Sequence, residues 1–302
     1  MNRTDLSQAK AEVGFLNRMS ARSGISRLSQ MSIQTRIDTL QNQINKFDNG
    51  SYRPAKAVIT YKGSPVWGSH GIAAEFGSLA TAKFTDAIAA VAASIAGGIL
   101  AERGPIPNRA QNQILITGHA LGSFGFEFEE APPSEAQLTL EGVTPVAQAF
   151  DLVADLLEAS VKGDEELSEP LSRISSSRPI AALSEFLEKL ASSDAYCTFR
   201  SGSHEFSFLN SEQVKLSRAR LNPANIYEAP QEFIGQFLGA FPDDRRFEFK
   251  TQDGYVIHGR IGREIEEPAV INQHLNRTFT VILNTRKVGN GKPRYSLSQL
   301  PW

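Results

Sequence analysis

From Gln231 onward the chain reads as five short runs with apolar residues at every second position, over 233–241, 245–251, 255–262, 278–288 and 294–300. No other feature narrows the fold so far. A period of two sends alternate side chains to opposite faces of a strand, so each run needs one face against a core and one in water. The turn "TQDGY" pins a hairpin register between the second and third runs. A helical stretch, "EPAVINQHL", precedes the fourth. Five strands with one inserted helix is the element string of a small closed or partly open β-barrel, similar to oligonucleotide-binding or SH3-like barrels, and it is expected over 229–302.

Upstream the period changes twice, which makes the chain α+β. Residues 1–50 read as a helical arm interrupted near Ser23 and Gly24, with Ile33, Ile37, Leu40, Ile44 and Phe47 spaced alternately by four and three, the seam of a coiled coil. Two readings stand: a helical hairpin packed on itself, or a homodimer formed through residues 30–48. A ββαββ unit is expected over 51–132. It has a strand at 58–61, a Gly-Ser turn and a returning strand through Val66 and Trp67, a helix rich in small residues at 76–100, and strands at 114–117 and 123–129. Residues 133–228 read as helices at 144–161, 179–192 and 211–221 with a hairpin between the last two. The segment "GDEELSEPLSRISSSRP" between the first two helices reads as a solvated, mobile connection.

Cys197 is the single cysteine, so no intrachain disulfide framework or cysteine-built zinc site is available, and the cytoplasm is the expected compartment. The uncharged run 87–101 is too short and too rich in alanine to span a bilayer, so no membrane segment is expected. The net charge of −2 conceals an uneven spread. Residues 127–170 hold twelve acidic side chains against Lys162 alone, whereas 276–302 hold five basic side chains and no acid.

The strings "LITGHALGSFGFEFEE", "RGPIPNR" and "GKPRYSL" resemble a family of uncharacterised bacterial proteins of similar length. The resemblance runs over most of the chain. It implies no activity, so no residue role follows from it.

Within the first of those strings, Gly118, Gly122 and Gly125 follow neither the dinucleotide fingerprint nor a P-loop. A phosphate cradle also needs a helix N-terminus directly after the loop, and here a strand follows. Phe124, Phe126 and Phe128 alternate with Glu127 and Glu129, so the rings are expected inside and the carboxylates open to water. Two carboxylates at that spacing stand roughly 6 to 7 Å apart and suit a metal or acid–base chemistry. With His119, and with His70 if the hairpins converge, they would support a metal-dependent phosphodiester hydrolase as the alternative function. No Ser-His-Asp, Cys-His or H-E-x-x-H pattern is legible, and no cofactor motif.

The better-supported surface is the barrel. Arg286, Lys287, Lys292 and Arg294 meet at one turn, with Arg260 and Tyr295 on neighbouring strands. Such a cluster attracts phosphates or an acidic protein surface. The leading reading is therefore a non-catalytic adaptor or regulatory subunit that binds a partner protein or nucleic acid through the barrel. The acidic stretch 127–170 offers the same cations an internal partner.

Overall fold

The computed structural model describes residues 3–20, 26–49, 54–97, 100–101, 104–120, 124–131, 143–174, 176–202 and 204–302. Its contacts divide the chain into two compact units. The first contains helices α1 (Arg3–Ser20) and α2 (Arg27–Asn49), which pack on each other. Arg36 of α2 donates to the Glu12 carboxylate of α1 at 2.9 Å. Leu40 is buried beside Val13 and Leu16, and Ile37 is buried too, so these two positions of the 4-3 seam are filled within one chain. The side chains of Ile44 and Phe47 lie outside the described residues.

The second unit holds an α/β body and the barrel. Strands β1 (Lys56–Gly63), β2 (Val66–Trp67) and β3 (Gly71–Ile72) precede helix α3 (Ala74–Ile95). Strands β4 (Ile114–His119) and β5 (Phe124–Glu130) follow, then helices α4 (Pro145–Lys162), α5 (Asp164–Leu171) and α6 (Arg178–Ser192). Strands β6 (Ala195–Ser201) and β7 (His204–Ser207) and helix α7 (Ser211–Arg220) complete the body. One antiparallel sheet runs β4-β5-β1-β6-β7, so strands from 51–132 and from 133–228 share a single sheet and a single core.

Three findings differ from the sequence reading. The strand at Val66 and Trp67 does not return along β1; it pairs with Gly71 and Ile72, because both edges of β1 are taken by β5 and β6. The charged segment after α4 is not a mobile connection. It forms α5, whose Leu167 and Leu171 are fully buried one turn apart in the core. The barrel's first strand begins earlier, at Ile226, and is sixteen residues long.

The core follows from alternation. Ala57, Ile59 and Tyr61 of β1, Phe128 of β5, and Cys197 and Phe199 of β6 all face the helices. Phe84 of α3 lies 5.2 to 5.5 Å from the rings of Phe128, Phe186 and Phe199, tying sheet and two helices together. Among the described residues α3 is the one helix long and apolar enough to cross a membrane, but 61% of that stretch is buried inside the fold, as a core helix requires.

The barrel is closed by β8 (Ile226–Phe241), β9 (Arg246–Thr251), β10 (Val256–Ile261), β11 (Thr278–Val288) and β12 (Arg294–Leu297). A 3-10 helix, Pro268–His274, sits between β10 and β11. Strands β10 and β12 pair in parallel and every other pair is antiparallel. That chain path fits the oligonucleotide-binding type of barrel better than an all-antiparallel one, a likeness that carries no ligand by itself. Phe237, Phe247, Phe249, Ile257, Val281 and Leu283 fill its interior.

Candidate partner-binding surface on the barrel

The turn joining β11 to β12, residues 289–293, brings Lys292 and Arg294 near the end of β11, as the charge pattern suggests. Its surroundings are what the sequence leaves open. The turn lies against α5, the acidic helix of the same unit. The backbone N–H of Asn290 donates to the Asp164 carboxylate at 3.2 Å, and that of Lys292 donates to Glu165 at 3.0 Å. The Lys292 ammonium stands 3.2 Å from Glu165 Oε1. The Lys292 backbone N–H first, then the Lys292 ammonium, with the neighbouring Arg294, hold the Glu165 carboxyl below its ordinary range.

Two other cations of the cluster, Arg260 and Arg286, share this neighbour. Arg260 of β10 reaches Glu169 of α5 at 2.9 Å. The Arg286 side chain is only 14% exposed. Its Nη1 donates to the carbonyls of Leu171 and Ile174 at 2.6 and 2.5 Å, while Nε pairs with Glu228 at 2.5 Å. The Leu171 carbonyl also accepts the Ile174 backbone N–H, so the arginine clasps the turn that follows α5 from another element. Arg263 adds a similar clasp by donating to the Ile95 carbonyl at the end of α3. Lys287 is half-buried and makes no side-chain hydrogen bond or ion pair among the described residues. Tyr295 is half-buried with its ring edge-on to Phe233 at 5.6 Å, and burial raises its hydroxyl pKa.

Among the outward-facing parts of the barrel is the ribbon of β8 and β11. Gln236 pairs with Thr278, Ile234 with Thr280 and Glu232 with Ile282. Directly opposed residues of an antiparallel pair share a face, so Ile234 and Ile282 are diagonal neighbours on the outside. They are 45% and 58% exposed, with Glu232, Thr278, Thr280 and Gln236 around them. Periodicity finds both isoleucines; only barrel closure shows that they face water.

The carboxylate strand is resolved differently from the expectation. Phe128 is buried and Phe124 and Phe126 half-buried, and Glu127 is exposed, but Glu129 is 7% exposed. The reason is its register. Glu129 lies between Leu115 and Lys56 and pairs with the Lys56 ammonium at 2.6 Å. His119 is exposed on β4, and His70 is exposed in the turn between β2 and β3. No group of three or more His, Cys, Asp or Glu able to hold a metal ion occurs among the described residues. Gly125 serves packing: a Cβ there would run into the Ile59 carbonyl of β1. Gly122 lies outside the described residues.

No family model, curated protein or solved structure matches this chain.

Proposed function

We propose that the chain is a non-catalytic adaptor or regulatory subunit whose barrel engages a partner protein through the outer face of β8 and β11. The observation that carries this reading is the exposed pair Ile234 and Ile282, ringed by polar and threonine side chains. An apolar centre with a polar rim is how a protein interface is composed, and exposed apolar patches on a folded protein mark interaction sites. Barrels of the oligonucleotide-binding type use the face of their second and third strands, the loop between the first and second, and the loop between the fourth and fifth. Here that loop lies on α5 and Arg260 is engaged by Glu169, which favours protein over nucleic acid as partner.

The test uses the full chain. A double variant, Ile234→Glu with Ile282→Glu, is compared with the parent for co-purifying proteins by quantitative mass spectrometry. Both proteins are also titrated against a single-stranded oligonucleotide at low salt. One protein retained by the parent and lost by the folded variant is the expected result. Salt-sensitive oligonucleotide binding that the double variant leaves unchanged would move the assignment to nucleic acid.

A further inference from the structure

The face of the body's sheet turned away from the helices carries a row of charge across its strands. Ala57, Ile59 and Tyr61 of β1 face the helices, so Val58, Thr60 and Lys62 face the other way. Glu127 of β5 and Arg200 of β6 both stand opposite Val58, one on each side of it, and Glu205 of β7 stands opposite Arg200. Directly opposed residues share a face, so an acid, a valine, a base and an acid lie side by side. Further along β1, Thr60 stands opposite Thr198 and Lys62 follows. These side chains, with the buried Ala120, line a trough of about 420 Å³.

The charges of the trough have no partners within the described residues. Four pairs of an acid and a basic or imidazole side chain stand directly opposite each other in the described sheets. Lys56 meets Glu129 at 2.6 Å, Arg286 meets Glu228 at 2.5 Å and His258 meets Glu248 at 3.3 Å. Arg200 and Glu205, the fourth pair, stay apart. Lys62, Glu127 and the Thr60 hydroxyl likewise make no side-chain hydrogen bond or ion pair among the described residues. The Glu127 carboxylate leans over Gly118 of β4, where a Cβ would lie 2.7 Å from its Oε2. That direction leads away from Arg200 and leaves the space above Val58 and Thr60 open.

We infer that this trough binds a small zwitterion, a free α-amino acid, with its carboxylate on Arg200 and its ammonium on Glu127, over the Thr60 hydroxyl. The class of ligand follows from the lining. Two cations and two carboxylates sum to no net charge, so a simple anion is repelled by Glu127 and Glu205 and a simple cation by Lys62 and Arg200. An apolar molecule strips water from all four and returns no partner. A zwitterion meets both signs at once. The guanidinium of Arg200 offers a planar fork that fits a carboxylate with two parallel bonds, and Glu127 accepts from an ammonium. The volume falls in the range of roughly 300 to 1,000 Å³ that small-molecule sites occupy. The trough belongs to the body's sheet and does not depend on the barrel's partner.

The experiment adds each common L-amino acid singly to the full-length protein and follows the denaturation midpoint, which a ligand of the folded state raises. The strongest stabiliser is then titrated by calorimetry beside its N-acetyl form, which lacks the ammonium, and its carboxamide form, which lacks the carboxylate. The expected result is saturable binding of the free amino acid, weakened about tenfold or more by either block. Arg200→Met and Glu127→Gln, each with an unchanged circular dichroism spectrum, should weaken it by a similar factor. No stabilisation by any amino acid overturns the inference. A blocked form that binds as tightly as the free one overturns it too, as does a folded variant that binds as tightly as the parent. Should the variants fail to fold, the free and blocked ligands on the parent decide.

Discussion

Replacing Arg286 by methionine keeps the packing of its stem on the barrel while removing the guanidinium. Three contacts go at once: the donations to the Leu171 and Ile174 carbonyls and the pair with Glu228. Glu228 is 45% exposed, so its carboxylate recovers hydration and its share of the loss is small. The two carbonyls lie under a side chain only 14% exposed, where water replaces the guanidinium poorly. A hydrogen bond to a charged group contributes about 1.5 to 3 kcal/mol. Two such bonds, partly offset by rehydration, put the expected cost at about 3 kcal/mol, with a fall in Tm of roughly 6 to 12 °C for a unit of this size. The assay is urea denaturation followed by circular dichroism, run beside Lys292→Met as a comparison. Lys292 is 80% exposed, so its loss should cost less than about 1 kcal/mol. A cost for Arg286→Met as small as that of Lys292→Met would refute the argument that this arginine joins barrel to body, and would return it to the pool of ligand-binding cations.

Two further outcomes follow from the titrating groups. Cys197 is buried, and burial pushes its thiol up to about 12, so the thiolate that reacts with alkylating agents is absent near neutral pH; iodoacetamide should label the protein only after denaturant is added, and rapid labelling of the native protein would show that β6 opens. Glu165 is held below its ordinary range chiefly by the backbone N–H of Lys292. A depressed carboxyl stabilises the fold above its unfolded value of about 4.3 and loses that contribution as the pH falls through the lower folded value. The barrel-to-α5 contact should therefore weaken below about pH 4, and Glu165→Gln should flatten the pH dependence of the denaturation midpoint in that window; an unchanged profile would refute the assignment.

The barrel is legible in the sequence because β9, β10, β11 and the middle of β8 each keep a period of two. Phe237, Phe247, Phe249, Ile257, Val281 and Leu283 sit at alternating positions, and all of them are inside. The central sheet is less so, since β1 pairs with residues more than sixty positions away on one side and more than a hundred on the other, and a local pattern names a strand without naming its neighbour. This is why the local pattern assigns Val66 and Trp67 to β1, whereas the pairing that forms is with Gly71 and Ile72. Helix α5 escapes notice for a different reason. Its two core residues, Leu167 and Leu171, stand among Asp164, Glu165, Glu166 and Glu169, so the average composition is that of a solvated linker while the i, i+4 spacing alone is that of a buried face.

The candidate site divides along the same line. A run of basic residues fixes the sign of what it attracts, not its identity, and both a phosphate and a carboxylate satisfy Arg260, Arg286 and Lys292. The deciding fact is three-dimensional: the chain supplies the carboxylates itself, on a helix that Leu167 and Leu171 anchor in the core, so the contact is part of the fold and not a removable plug. Charge clusters of this kind direct attention to an internal interface. The partner surface proposed on the barrel therefore rests on apolar exposure, at Ile234 and Ile282, and not on the cations that the sequence singles out.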